Sequence, residues 1–177
     1  DLVEAGKIRS VWVSNFTPER MRRAARRLEQ RGLTLAVNQV YYSLLHRNIE
    51  RDGTLETAKE LGVTIIAYTP LENGLLSGKY HKNPELIRKA PFWKRAAMQR
   101  RIEATRPLIN ALDEIASRYD ATPAQAALNW LVCFQGESVV AIPGATKIYQ
   151  AQESAHALSF RLTEEELARL DELSSWR

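Results

Sequence analysis

Residues 139–155 read VVAIPGATKIYQAQESA, a short apolar run that meets Pro143 and Gly144 and turns within two residues into a helical pattern. Val139, Val140, Ala141 and Ile142 show no polar alternation, the pattern of a strand buried on both faces. Pro143 has no N–H to give a ladder, so pairing ends there, and Thr146 is placed to cap the helix that follows. Lys147 then falls in the first helical turn. Free N–H groups already make that end positive, and a cation there costs roughly 0.3 to 1 kcal/mol unless an anion is near. A helix start that carries a lysine suits a phosphate; the plainer reading is a lysine whose head bends away into water. The unit is strand, turn, helix, and it decides the fold if it repeats.

It does repeat. Three further runs are apolar and β-branched, IRSVWV at 8–13, LAVNQV at 35–40 and VTIIAY at 63–68, and each leads into a helical pattern. The first helix opens at Thr17-Pro18, a cap followed by proline at the first position, and runs to Gly32; the second covers Thr54 to Leu61 and stops at Gly62. Two helices separate the third and fourth strands. One carries Leu108, Ile109, Leu112, Ile115, Ala116 and Tyr119 at helical spacing, and the other starts at Thr122-Pro123-Ala124-Gln125, a capping box. After the fourth strand come the helix entered at Thr146 and a last one opened by Thr163-Glu164-Glu165-Glu166, carrying Leu167, Leu170 and Leu173. Continuous apolar strands alternating with amphipathic helices make βαβ units and a parallel sheet. The opening DLVEAGKIR reads as the last turn of a helix ended by Gly6. Four such units amount to half of a closed (β/α)8 TIM barrel, which takes about 250 residues.

With 177 residues, 45% hydrophobic and 26% charged, the chain holds enough material for a packed core. No apolar run approaches the roughly 20 residues of a membrane helix and no signal-peptide pattern opens the chain, so a cytoplasmic location is expected. The single cysteine, Cys133, lies in the apolar stretch AALNWLVCF and is expected in the core. The net charge of +4 comes largely from Arg20, Arg22, Arg23, Arg26, Arg27 and Arg31 on one helix and from residues 88–106, RKAPFWKRAAMQRRIEATR. Met21, Ala24, Ala25 and Leu28 fall at i, i+3, i+4 and i+7 of that helix, so the arginines take its opposite, solvated face and no nucleic-acid partner is expected. In the second segment Phe92 and Trp93 stand between charges; a base-stacking surface and a loop folded over a ligand pocket both fit. His46, His81 and His156 are scattered, and with one cysteine they do not approach metal-ligand spacing.

In a barrel the chemistry gathers where strands end and βα loops begin. Those ends read Ser14-Asn15, Asn38-Gln39, Tyr68-Thr69-Pro70 and Pro143-Gly144. Each has an ordinary reading: a side-chain turn for Ser14 and Asn15, a backbone-satisfied core amide for Gln39, a plug with its hydroxyl in water for Tyr68. Together on one rim, beside a helix start that suits an anion, they favour a ligand with a flat aromatic part, an amide-like part and phosphates.

The stretches GKIRSVWVSNF, NQVYYSLLHR, IIAYTPLENGLLSGKY, TPAQAALNWLV and VVAIPGATKIYQAQESAHALSF, in that order and spacing, resemble the carboxyl-terminal half of the aldo-keto reductases, NADP(H)-dependent (β/α)8-barrel oxidoreductases. The resemblance covers essentially the whole chain. It implies that residues 1–177 are the last four βα units and C-terminal helices of one barrel domain, within an enzyme that reduces aldehydes or ketones with NADP(H). By it, Ser14 and Asn15 would hydrogen-bond the nicotinamide carboxamide with Gln39 beside them, and Tyr68 would stack on the ring. Thr69, Pro70, Leu71, Glu72, Asn73, Gly74 and Lys79 would belong to the loop that wraps the pyrophosphate. Gly144, Thr146, Lys147, Gln150, Glu153 and Ser154 would meet the adenosine end and its 2′-phosphate. Two residues depart from the family pattern: Trp12 stands where glycine is usual and Ser154 where asparagine is common. The family's catalytic aspartate, tyrosine, lysine and histidine belong to earlier strands, so no catalytic residue is assigned and the chain alone is expected to be inactive. Phe92 and Trp93 would border the substrate pocket. The partners this implies are a small carbonyl substrate and the N-terminal barrel half, with no membrane or nucleic acid and with self-association of the isolated chain. The same resemblance allows a non-catalytic NADP(H)-binding regulatory subunit, like the potassium-channel β-subunits.

Overall fold

Strands β1 (Val11–Ser14), β2 (Leu35–Tyr41), β3 (Thr64–Tyr68) and β4 (Val139–Ile142) pair side by side in chain order, every pair parallel. The computed structural model describes residues 1–88 and 91–175; Lys89 and Ala90 of the basic 88–106 segment lie outside the described residues. Helix α1 (Pro18–Glu29) links β1 to β2, and α2 (Asn48–Arg51) and α3 (Thr54–Glu60) link β2 to β3. The long connection from β3 to β4 carries α4 (Lys79–Lys82), α5 (Glu85–Arg88), α6 (Phe92–Ser117) and α7 (Pro123–Cys133); α8 (Ile148–His156) and α9 (Glu164–Ser174) follow β4. The fold is α/β with a four-stranded parallel sheet, as the alternation of patterns predicts.

Local chemistry sets most of the boundaries. The capping boxes at Thr122/Gln125 and Thr163/Glu166 both form. Gly6, at φ +66°, ends the opening turn, with Lys7 N–H bonded to the Leu2 carbonyl and Gly6 N–H to that of Val3, each at 2.9 Å. On α1 Met21 is fully buried while the arginines stay exposed, Arg22 reaching Glu60 of α3 at 2.5 Å. Two boundaries differ from the sequence reading. β1 starts at Val11 rather than Ile8, because it is an edge strand whose ladder begins only where Leu35 opposes it. α6 starts at Phe92, far ahead of the periodic residues from Leu108, because Ile102 and Thr105 extend its buried stripe by two turns and Pro107 is accommodated inside the helix.

Helices cover one face of the sheet: α1 packs on β2, α3 on β3 and α7 on β4. Ile65 and Ala67 point into that layer and are fully buried, as are Trp130 and Leu131 of α7 and Leu112 and Ile115 of α6; each large apolar side chain so buried stabilises by roughly 1.5–3 kcal/mol. Arg47, 7% exposed, threads this layer. It pairs with Glu50 and with Asp171 of α9 at 2.5 Å each, and its guanidinium lies 5.0 Å from the Trp130 ring centroid. Burial opposes its charge, but Glu50 and then Asp171 outweigh that and raise its pKa. Strand alternation and register put Trp12, Ser14, Gln39, Tyr41, Ile66, Tyr68, Val140 and Ile142 on the other face. There Trp12 is 58%, Val140 48% and Ile142 44% exposed.

Candidate functional site

Parallel strands bring all their carboxyl ends to one side of the sheet, and a polar cluster forms there. Past Ser14 the chain turns left-handed at Asn15 (φ +56°), whose N–H donates to the Gln39 carbonyl at 2.9 Å. Asn38, fully buried, holds the next residue at both ends: its Oδ1 accepts from Phe16 N–H at 3.2 Å and its Nδ2 donates to the Phe16 carbonyl at 2.9 Å. Asn38 is therefore the core amide of this strand end. Gln39, one residue on, points to the open face beside Ser14, its register partner. The Ser14 hydroxyl donates to the Gln39 carbonyl at 3.1 Å and accepts from Asn15 Nδ2 at 3.2 Å, and the Tyr68 hydroxyl lies 3.4 Å from Asn15 Oδ1. The Tyr68 ring stacks on Tyr41 (centroids 5.4 Å apart), and Tyr41 on His46 (3.9 Å). Ser14, Asn15, Gln39 and Tyr68 thus come together as the sequence reading expects.

Beside this cluster runs a cleft of about 630 Å³. One wall is the segment after β3, with Thr69, Pro70, Leu71, Asn73, Gly74, Ser77 and Lys79; the other is Pro143 and Gly144 with Tyr149, Gln150, Glu153 and Ser154 of α8. Ala124, Gln125 and Leu128 of α7 lie between them. The first wall is a strained turn, since Thr69 (φ +54°), Glu72 (φ +52°) and Asn73 (φ +54°) are non-glycine residues in left-handed conformations, each costing of order 1–3 kcal/mol. Lys79 folds back across Gly74: a Cβ on Gly74 would sit 2.4 Å from Lys79 Nζ and would push the ammonium aside, and the backbone there, at φ +86°, favours glycine.

Four expectations need correction. Glu72 does not face the cleft; in the left-handed turn its side chain points inward and is buried, taking a bond from Ser43 Oγ at 2.7 Å and pairing with Arg101 of α6. Thr146 does not cap α8, and Lys147 is not in its first turn but at the cap position itself. The helix entry is instead held by Gln150, whose Oε1 accepts from the N–H groups of Thr146 (2.8 Å) and Lys147 (3.1 Å) and from the Thr146 hydroxyl (3.2 Å). Neither Thr146 nor Lys147 lines the cleft, though Lys147 Nζ is 5.9 Å from the ring centroid of Tyr149, which does. Third, Phe92 and Trp93 open a helix rather than a loop. They are 77% and 68% exposed, packed edge to face on each other, and away from the cleft lining. Cys133 is half-buried rather than fully in the core, and burial pushes its thiol up.

Several lining residues have no counterpart in the sequence reading. Gln125 reads there only as the far end of a capping box; folded, its Nε2 also donates to the Glu153 carbonyl at 3.0 Å, which ties α7 to α8 beneath the cleft. Tyr149 lies four residues before Glu153, on the same side of α8, and that spacing is a signal the sequence does carry. Ser77, whose hydroxyl donates to the Gly74 carbonyl at 2.8 Å, gives no such signal. Among the described residues no helix is long and apolar enough to cross a membrane, and no group of three or more His, Cys, Asp or Glu is placed to hold a metal ion.

The model of the Aldo/keto reductase family matches residues 1–175. A chloroplastic pyridoxal reductase of Arabidopsis thaliana is 34% identical over 96% of this chain and 45% of its own length. An aldo-keto reductase of Schizosaccharomyces pombe, yakc [NADP(+)], is 32% identical over 92% of this chain and 47% of its own. Among solved structures, a thermostable aldo-keto reductase, Tm1743, in complex with the inhibitor epalrestat superposes with a TM-score of 0.72 at 32% identity, over 97% of this chain and 51% of that one. The chain spans about half the length of the relatives it matches.

Proposed function

The chain belongs to the aldo/keto reductase family, and from that premise we propose that it forms the NADP(H)-binding half of a (β/α)8 oxidoreductase that reduces aldehydes or ketones. The observation that carries this reading is the placement, at one end of a parallel sheet, of an aromatic and amide cluster next to a polar cleft. The donor set fits a phosphorylated nicotinamide nucleotide. Asn15 and Ser14 offer an amide and a hydroxyl where a carboxamide can bind, and Tyr68 offers a ring face already backed by Tyr41. The Lys79 ammonium, lodged over Gly74, offers a cation to phosphate oxygens. The name of the fission-yeast relative, which carries NADP(+), supports the phosphorylated cofactor.

The chemistry such a cofactor supplies is hydride transfer to a carbonyl carbon; the work of this chain is binding and orientation. The turn after β3 is strained into shape and braced from within, so little of its order has to be gained on binding. Lys147, at the rim beside Tyr149, is the residue we assign to the 2′-phosphate. The carbonyl substrate and the residue that protonates its oxygen lie outside what this chain defines.

Titrating NADPH and NADH into the 177-residue chain, followed by dihydronicotinamide fluorescence, tests the reading. Saturable binding with NADPH preferred is expected, and Lys147→Ala should weaken NADPH severalfold more than NADH. No saturable binding would sink the proposal, and equal loss for the two cofactors would remove Lys147 from the 2′-phosphate.

A further inference from the structure

Glu72 stands between residues that line the cleft, yet its own carboxylate points the other way and its side chain is fully buried. A carboxylate taken out of water is costly unless it is both paired and hydrogen-bonded. This one is both, and its partners come from different elements. Ser43, which follows β2, donates to Oε1 at 2.7 Å, and Arg101, on α6, pairs with Oε2. The turn that carries Glu72 is unfavourable in itself, with Glu72 at φ +52° and Asn73 at φ +54°. Ser43 lies two residues after Tyr41, so its bond to Glu72 ties the turn to the end of the strand that carries the aromatic stack. The Tyr41 phenol is pushed up to about 12 by burial and by Glu72, and its ring is the one stacked on Tyr68.

We propose that Glu72 is a positioning residue: its buried carboxylate, gripped by Ser43 and Arg101, holds the strained turn that shapes the cleft and joins that turn to the Tyr41–Tyr68 stack. The turn keeps its shape because the tether offsets its strain, and the same tether fixes the distance between the polar cleft and the aromatic platform. The effect on cofactor affinity rests on the NADP(H) reading above; the effect on the turn does not.

Glu72→Gln separates the two. Its amide still accepts from Ser43 but no longer pairs with the Arg101 charge. Amide hydrogen exchange on the ligand-free chain reads the turn directly, through Gly74 N–H, bonded to the Leu71 carbonyl at 2.9 Å, and Leu76 N–H, bonded to the same carbonyl at 3.3 Å. In the variant these should exchange about tenfold faster while the β2–β3 ladder stays protected, and NADPH should bind about tenfold more weakly. Arg101→Met should match it and Arg101→Lys should recover most of the loss; if Glu72→Gln does not fold, the Arg101 pair decides. Wild-type exchange of the turn in the variants overturns the inference, as does faster exchange with unchanged NADPH affinity. Faster exchange in a chain whose wild type never binds NADPH supports the tether and sinks the cofactor reading instead.

Discussion

Tyr149 stands half-exposed on the cleft edge with the Lys147 ammonium 5.9 Å from its ring centroid, an aromatic face and a cation side by side. A purine stacked on such a face contributes about 1–3 kcal/mol. Tyr149→Ala should therefore weaken NADPH by roughly 5- to 150-fold in calorimetry, Tyr149→Phe should bind like the wild type, and reduced nicotinamide mononucleotide, which lacks the purine, should not distinguish the three. Loss of the mononucleotide as well would mean that Tyr149 acts through the fold. At this scale the sequence was legible where a side chain's direction follows from strand alternation. Ser14, Gln39 and Tyr68 share a face because they are register partners or lie two residues from one. Glu72 was not legible: its direction follows from a left-handed backbone and from partners 29 positions away on either side.

The helices show where periodicity works and where it stops. The buried stripe of α6 includes Leu108, Leu112 and Ile115, but none of residues 92–101 is buried, and Pro107 lies inside the helix. What continues the helix is tertiary. Ile102 and Thr105 receive His81 of α4, whose Nε2 lies 3.0 Å from the Ile102 carbonyl and 3.1 Å from Thr105 Oγ1. The carbonyl takes the Nε2 proton, leaving Nδ1 bare, buried and without a hydrogen-bond partner among the described residues. Burial holds the His81 pKa below its ordinary value. A histidine depressed in the folded state contributes stability that is complete above its unfolded pKa of about 6.5 and is lost as pH falls through the folded value. The urea midpoint should thus fall as pH is lowered from about 7.5 to about 5, and His81→Gln should flatten that dependence. An identical slope in the variant would place the acid sensitivity elsewhere.

For the molecule as a whole, the open sheet face dominates. Trp12, Val140 and Ile142 are 58%, 48% and 44% exposed on it, and among the described residues β1 and β4 each leave one edge without a partner strand in the sheet. Apolar surface beside unpaired strand edges is a template for association. The 177-residue chain should sediment as oligomers, and the double variant Trp12→Ser, Ile142→Ser should shift it towards monomer; a compact monomer at high concentration would count against this. By itself the sequence determined the order of strands and helices, their parallel pairing and the rim on which Ser14, Asn15, Gln39 and Tyr68 meet. Those follow from periodicity, caps and alternation, which are properties of neighbouring residues. The tertiary structure decided that Glu72 turns inward, that Gln150 rather than Thr146 holds the entry to α8, that Phe92 and Trp93 begin a helix, and that Gln125 lines the cleft. The directions of Glu72 and Gln125 depend on which distant group satisfies a polar atom, and that is set only when the elements pack; Gln150 acts on donors three and four residues away, a local competition with Thr146 that periodicity does not resolve.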